Sequence, residues 1–168
     1  MRFLAEAIEF AVKAHGDAMD KGDELAILHP LAVMLAVRDA GISFASPEEH
    51  AAALAVAVLH DVVEDCGVTV TEVNARFGCV VADAVDAISR RQGERYIPDY
   101  IARVKQNAIA TEVKLADLAH NSSPQRMMRL PESERSIIRR YDRARGILAA
   151  GPEVVPAETR EHGDADQA

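Results

Sequence analysis

The chain has 168 residues, 49% of them apolar and 27% charged, with a formal net charge of −8. That composition suits one soluble globular domain and excludes nucleic-acid binding driven by an overall positive field. Cys66 and Cys79 lack CxxC spacing, which excludes a disulfide framework or a zinc-finger pattern. Glu6 and Glu9 interrupt the N-terminal apolar run, so it does not read as a signal peptide, and no apolar stretch is long and uncharged enough to span a membrane. A cytoplasmic protein with no membrane or nucleic-acid partner is expected, and the sequence does not address its oligomeric state.

Leu4, Ile8, Ala11 and Val12 recur at helical spacing and predict a first helix from about Phe3 to Met19, broken by the polar stretch Asp20 to Glu24. A second runs from His29 to Ala40, with Pro30 in its first turn and Gly41 beyond its end. Ser46 is a natural N-cap for a third, with Glu48 and Glu49 in its first turn. That helix contains AAALAVAVLHDVV, so it is expected to be central and buried on most sides. Thr69 and Glu72 have capping-box spacing and predict a fourth helix ended by Gly78, and a fifth runs from about Val80 to Arg91. After the loop Gln92-Gly93-Glu94, Pro98 opens a helical region to Asn121, in one or two pieces. Ser122-Ser123-Pro124 breaks it, and a last helix covers about Glu132 to Leu148. No strand is predicted. The expected fold is an all-α, compact helical bundle over residues 1–150. Residues 151–168, with Glu153, Glu158, Glu161, Asp164 and Asp166 against Arg160 alone, are expected to form a disordered acidic tail.

Three short stretches concentrate chemistry. The helix ending LHDVVED places His60, Asp61, Glu64 and Asp65 within two turns, over an arc of roughly 140°. Burying acids beside so apolar a stem is costly unless something positive binds them; an exposed helix end would carry them freely. In EVKLADLAHN, Lys114, Asp117 and Asn121 share one face within an arc of roughly 60°, as a solvated stripe also would. In ILHPLAV, His29 sits at a loop-to-helix boundary, where a structural histidine is the commoner outcome. Together they offer two imidazoles and two carboxylates. That mixed set suits a divalent first-row ion better than Ca²⁺, and open positions on it favour Mn²⁺ or Fe²⁺ over closed tetrahedral Zn²⁺.

In that order, AVKAHGDA, LHPLAV, LAVAVLHDVVED and VKLADLAHN resemble the HD superfamily, and within it the small single-domain form of RelA/SpoT-type alarmone hydrolases. The resemblance spans roughly residues 3 to 148. It implies a helical bundle around one Mn²⁺ held by His29, His60, Asp61 and Asp117, and a catalytic acid pair, Glu64 and Asp65. It further implies removal of the 3′-pyrophosphate of a hyperphosphorylated nucleotide, with Lys21, Asn121 and Tyr141 binding that substrate. Lys114 and Arg90, with Arg91 beside it, are further candidates to neutralise its phosphates. His15 is expected to pack beside the site, and His50, His120 and His162 to lie on the surface.

The chain also departs from the family pattern. Asp20-Lys21 stands where many members have Arg-Lys, and Ser122-Ser123-Pro124-Gln125 follows Asn121. The arginine stacks on guanine in the family, and an aspartate instead adds repulsion and an acceptor. An adenine alarmone, (pp)pApp, is therefore weighed beside (p)ppGpp. The rival readings are another HD phosphohydrolase, such as a 5′-nucleotidase, and a non-enzymatic nucleotide binder.

Overall fold

The computed structural model describes residues 2–42, 44–129 and 132–150. The acidic tail from Gly151 lies outside the described residues. Among those described, the regular structure is helical, save an isolated antiparallel bridge between Met19 and Leu25. No helix among them is long and apolar enough to cross a membrane.

Helix α1 (Arg2–His15) stops one turn short of the expected Met19. Gly16 is the reason: its φ of +52° belongs to the left-handed region that suits glycine, and its N–H still reaches the Val12 carbonyl. Helix α2 (Leu28–Asp39) follows, with Gly41 at φ +64° just past its end. Helix α3 (Pro47–Leu59) starts as its sequence dictates, the Ser46 side chain accepting the Glu49 N–H at 3.1 Å. Ala52, Ala53 and Ala55 to Leu59 are all buried, and α3 packs against α1, α2, α6 (Cys79–Ile88) and α8 (Ala108–Asn121). The many alanines let helices pack on α3 from most sides, Ala51 and Leu54 staying half-buried. Each fully buried Val or Leu on it adds about 1.5–3 kcal/mol relative to exposure.

The apolar helix does not continue through the His-Asp pair as expected. It ends at Leu59, and His60 and Asp61 form a turn before the short helix α4 (Val62–Asp65). Helix α5 (Val70–Phe77) carries the expected Thr69/Glu72 capping box, and Gly78 at φ +81° separates it from α6. Arg103 fixes the end of α6 by donating to the carbonyls of Asp86, Ala87 and Ser89 at 2.6–3.0 Å. The Pro98 region is a π-helical turn (Tyr96–Ile101) running into α7 (Ala102–Val104). Asn107 then caps α8, its side chain accepting the Ala110 N–H at 2.9 Å.

Beyond Asn121 the expected break is itself helical, forming α9 (Pro124–Arg129). The last helix, α10 (Ile138–Ala149), starts later than expected because Glu132–Ile137 is a 3₁₀ turn. Two ion pairs fasten the α1–α2 loop to α9, Asp20 with Arg126 and Glu24 with Arg129.

Candidate functional site

Three of the buried polar side chains among the described residues converge where α2, the α3–α4 turn and α8 meet. His29, His60 and Asp117 each present one ligand atom, all within 4.8 Å of one another. His29 Nε2 lies 3.0 Å from Asp117 Oδ1 and 3.8 Å from Asp61 Oδ2, and His60 Nε2 lies 3.1 Å from Asp61 Oδ1 and 3.9 Å from Asp117 Oδ1. Asp61 thus borders the cluster from its more open side. The turn at His60-Asp61 makes this possible. It swings the His60 ring back so that Nδ1 meets the Ala57 carbonyl at 2.8 Å, and places Asp61 across from His29.

A carbonyl can only accept, so His60 Nδ1 carries the proton of that bond and Nε2 of the neutral ring is left as a lone pair. Nε2 is buried and makes no hydrogen bond. A buried, unpartnered nitrogen aimed at carboxylates is the donor set a divalent cation fits. Burial opposes a charge on His60, but Asp61 and Asp117 outweigh it and push its pKa up to about 9. A proton or a metal ion answers the same need. Burial likewise opposes the charge on Asp117, yet Lys114 and His29 hold its carboxyl well below the usual range. Lys114 Nζ sits 2.7 Å from Asp117 Oδ2, and Asn121 Nδ2 donates to Asp117 Oδ1 at 2.5 Å. The expected Lys114/Asp117/Asn121 stripe is therefore inward-facing, and Lys114 and Asn121 orient Asp117 as well as facing the cavity.

His120, expected on the surface, is half-buried beneath the cluster. Its ring stacks on His29 with centroids 5.0 Å apart, and the two Nδ1 atoms are 2.8 Å apart. Burial, with His29 and Arg126 nearby, pushes its pKa down to about 4. A neutral His120 can accept a hydrogen bond from His29 Nδ1–H, which leaves His29 Nε2 as the lone pair facing the cluster. The signal was present in the sequence: His120 follows Asp117 by three residues, on the same face of α8. His15 packs as expected, buried with Nδ1 3.4 Å from Cys66 Sγ.

A cavity of about 340 Å³ opens above the cluster, walled by Lys21, Glu64, Asp65, Arg90, Lys114 and Tyr141, with Asn121 beside them. Sequence reasoning missed four further wall residues, Ile88, Tyr96, Tyr100 and Arg140. The Arg140 guanidinium lies 4.5 Å from the Tyr96 ring centre. Arg140 adjoins Tyr141 in sequence, but nothing in the pattern marks Tyr96. Arg91 points elsewhere, paired with Asp86 at 2.7 Å. The Arg90 backbone N–H donates to Glu64 Oε2 at 2.8 Å. Glu64 is reached by solvent but recessed in the cavity; desolvation there raises its pKa, with the Arg90 N–H acting against it. Burial and the neighbouring Asp61 raise Asp65 as well.

A family model described as an HD domain matches residues 7–120. The chain belongs to the HD domain family. Among curated relatives, this HD chain is 28% identical over 151 residues to a probable guanosine-3′,5′-bis(diphosphate) 3′-pyrophosphohydrolase of Synechocystis, covering 80% of this chain and 19% of that one. It is 32% identical over 108 residues to the Aquifex aeolicus guanosine-3′,5′-bis(diphosphate) 3′-pyrophosphohydrolase, covering 64% and 14%. The HD chain thus spans a fifth or less of the length of these two relatives. Among solved structures, a metazoan ortholog of SpoT described as hydrolysing ppGpp superposes with a TM-score of 0.71 at 19% identity, over 90% of this chain and 87% of that one. At that identity the likeness speaks for the fold.

Proposed function

We propose that this HD protein is a divalent-metal-dependent 3′-pyrophosphohydrolase of hyperphosphorylated nucleotides, (p)ppGpp or (pp)pApp, releasing pyrophosphate. The observation that carries the reading is the buried, unpartnered Nε2 of His60 facing Asp61 and Asp117 at the floor of a cavity with cationic walls. The relatives named as guanosine-3′,5′-bis(diphosphate) 3′-pyrophosphohydrolases support the substrate class.

His29, His60, Asp61 and Asp117 would hold the ion, with Mn²⁺ preferred over Fe²⁺ or Zn²⁺ because this reaction needs open coordination positions. When bound, the ion supplies Lewis acidity toward a phosphoryl oxygen and makes a water more acidic. Glu64, oriented by the Arg90 N–H, takes the proton of the attacking water, and its raised pKa brings it closer to that task near neutral pH. Asp65 supports the leaving group's proton. Lys21, Arg90 and Lys114 neutralise the phosphates, and Asn121 and Tyr141 fix the ribose end. Residues 1–150 form the catalytic unit.

The test is turnover of ppGpp, pppGpp, ppApp and pppApp by Mn²⁺-loaded protein, with product identification. Pyrophosphate supports the reading. Orthophosphate from these or from 5′-monophosphates would replace it with a nucleotidase, and tight binding without turnover would replace it with a nucleotide sensor.

A further inference from the structure

A second cavity, of about 510 Å³, adjoins the metal cavity, and the two share Lys21, Asp65, Asn121 and Tyr141 as walls. A ligand with its phosphates over the cluster therefore has a direct continuation past these four residues into the second lobe. The lining there changes character. Ala14, Ala18, Met19, Ala26 and Ile137 give it apolar surface, and Met19 is 57% exposed although it is a large hydrophobic side chain. A planar, mostly apolar group would cover that surface.

Besides the shared Lys21, a second cation lines this lobe. Arg126, on α9, lines it, and its Nη1 pairs with Asp20 Oδ2 at 3.0 Å, both side chains being mostly buried. Both oxygens of Asp20 are already engaged within the protein. Its Oδ1 already accepts the N–H groups of Gly22 at 2.8 Å and Glu24 at 3.1 Å. Burial opposes its charge, but these N–H groups and Arg126 hold its carboxyl below the usual range, so it stays ionised and keeps the guanidinium in place. The repulsive, accepting Asp20 expected from sequence is thus answered from α9, a helix the sequence reading did not foresee.

We propose that Arg126, positioned by Asp20, is the specificity-determining residue of this lobe and selects a 6-oxopurine over a 6-aminopurine. The inference rests on the nucleotide reading above. A guanidinium only donates. Guanine offers it two adjacent acceptors, O6 and N7, where adenine offers N7 beside a donating amino group. The Asp20 contact at Nη1 leaves Nε and Nη2 to form that fork.

The experiment compares wild type, Arg126→Ala, Arg126→Lys and Asp20→Asn in two readouts. The first is steady-state kinetics of Mn²⁺-loaded protein on ppGpp and ppApp. Wild type is expected to favour ppGpp through KM by roughly 5- to 150-fold, the range of one good bidentate base contact. Arg126→Ala should bring the ratio near one, chiefly by raising KM for ppGpp. Arg126→Lys keeps a cation for Asp20 but lacks the fork, so it should lose most of the ratio while folding normally, and Asp20→Asn should lose part of it. The second readout is calorimetric binding of GDP, ADP and pyrophosphate to metal-free protein. The GDP preference should vanish in Arg126→Ala while pyrophosphate binding is unchanged. A base preference untouched in Arg126→Ala and Arg126→Lys, or a wild type favouring the adenine nucleotide in both readouts, would overturn the proposal. A wild type that turns over neither alarmone yet binds GDP over ADP through Arg126 would retain this assignment and defeat the hydrolase reading.

Discussion

The two ends of the cleft are built by different physics. At the candidate metal end, His29, His60 and Asp117 are buried, and each stands on an element locked into the alanine-rich packing around α3. Its polar atoms are tied within the core, His60 to the Ala57 carbonyl and Asp117 to Lys114 and Asn121. At the far end, the α1–α2 loop and α9 meet through side-chain ion pairs, with little apolar burial: none of the α9 residues is buried. A catalytic centre needs fixed geometry, which the core supplies. Substrate choice needs only a few placed donors, which a surface can exchange without disturbing the core. On the proposed reading, the chemistry is accordingly harder to change than the selectivity.

Breaking the metal end should have the largest effect. Asp117→Ala removes the carboxylate that meets His29, Lys114 and Asn121, and leaves a buried lysine unpaired. Bound metal, measured by elemental analysis after gel filtration, should fall to background together with activity. Full occupancy in this variant would remove Asp117 from the ligand set. Glu64→Gln comes next. It should keep the metal but lose roughly 10²–10⁴-fold in kcat, the range for general acid–base catalysis. It should also stabilise the protein. The folded-state pKa of Glu64 is raised, so its charged form disfavours folding once pH rises through that pKa, and a neutral amide escapes the penalty. The metal-free Tm of Glu64→Gln should therefore exceed wild type at pH 8, with the gap closing below pH 4. An equal Tm at both pH values would mean that Glu64 is not desolvated.

The same contrast explains what was legible in the sequence. The bundle, the Ser46 and Thr69 caps and the Gly41 and Gly78 stops follow from local rules that act on neighbouring residues. The convergence of His29, His60 and Asp117 could be expected because the core that buries them also imposes pattern, as at Asp117 among Leu115, Ala116 and Leu118. The turn at His60-Asp61 was not legible. Apolar residues continue on both sides of it, so periodicity runs through a break made by the His60–Ala57 contact. Helix α9 was hidden because Ser122-Ser123-Pro124 reads equally as a loop or as a helix start. Its pairs with Asp20 and Glu24 join residues about a hundred positions apart, and no single-sequence pattern carries them.

His120 sharpens the comparison, because it stacks on His29 behind the buried cluster without being one of the candidate ligands. If it sets the His29 tautomer, His120→Ala should weaken metal affinity or activity by about 10–100-fold, typical of partners behind a ligand. His120→Gln, which can still accept from His29 Nδ1, should recover part of that loss. Competition with a chelator reads the affinity directly, and the ordering wild type, Gln, Ala is the expected result. Equal affinities across the three would make His120 a packing residue.

The smallest effect should come from the far end. The Glu24–Arg129 pair is close but half-exposed, and both side chains lose rotamer freedom in making it. A double-mutant cycle with Glu24→Ala and Arg129→Ala, read by urea unfolding, should give a coupling of about 0.2–1 kcal/mol, falling further in high salt. The neighbouring Asp20–Arg126 pair is more enclosed, and Asp20 has its own backbone N–H bonds to keep it charged when the arginine is removed. Its cycle should give a larger coupling that resists salt, since partly buried pairs are screened less. If both pairs gave the same salt-sensitive value, the Asp20–Arg126 contact would be another surface tether, and the division between a core that fixes chemistry and a surface that places one chosen donor would fail at that donor.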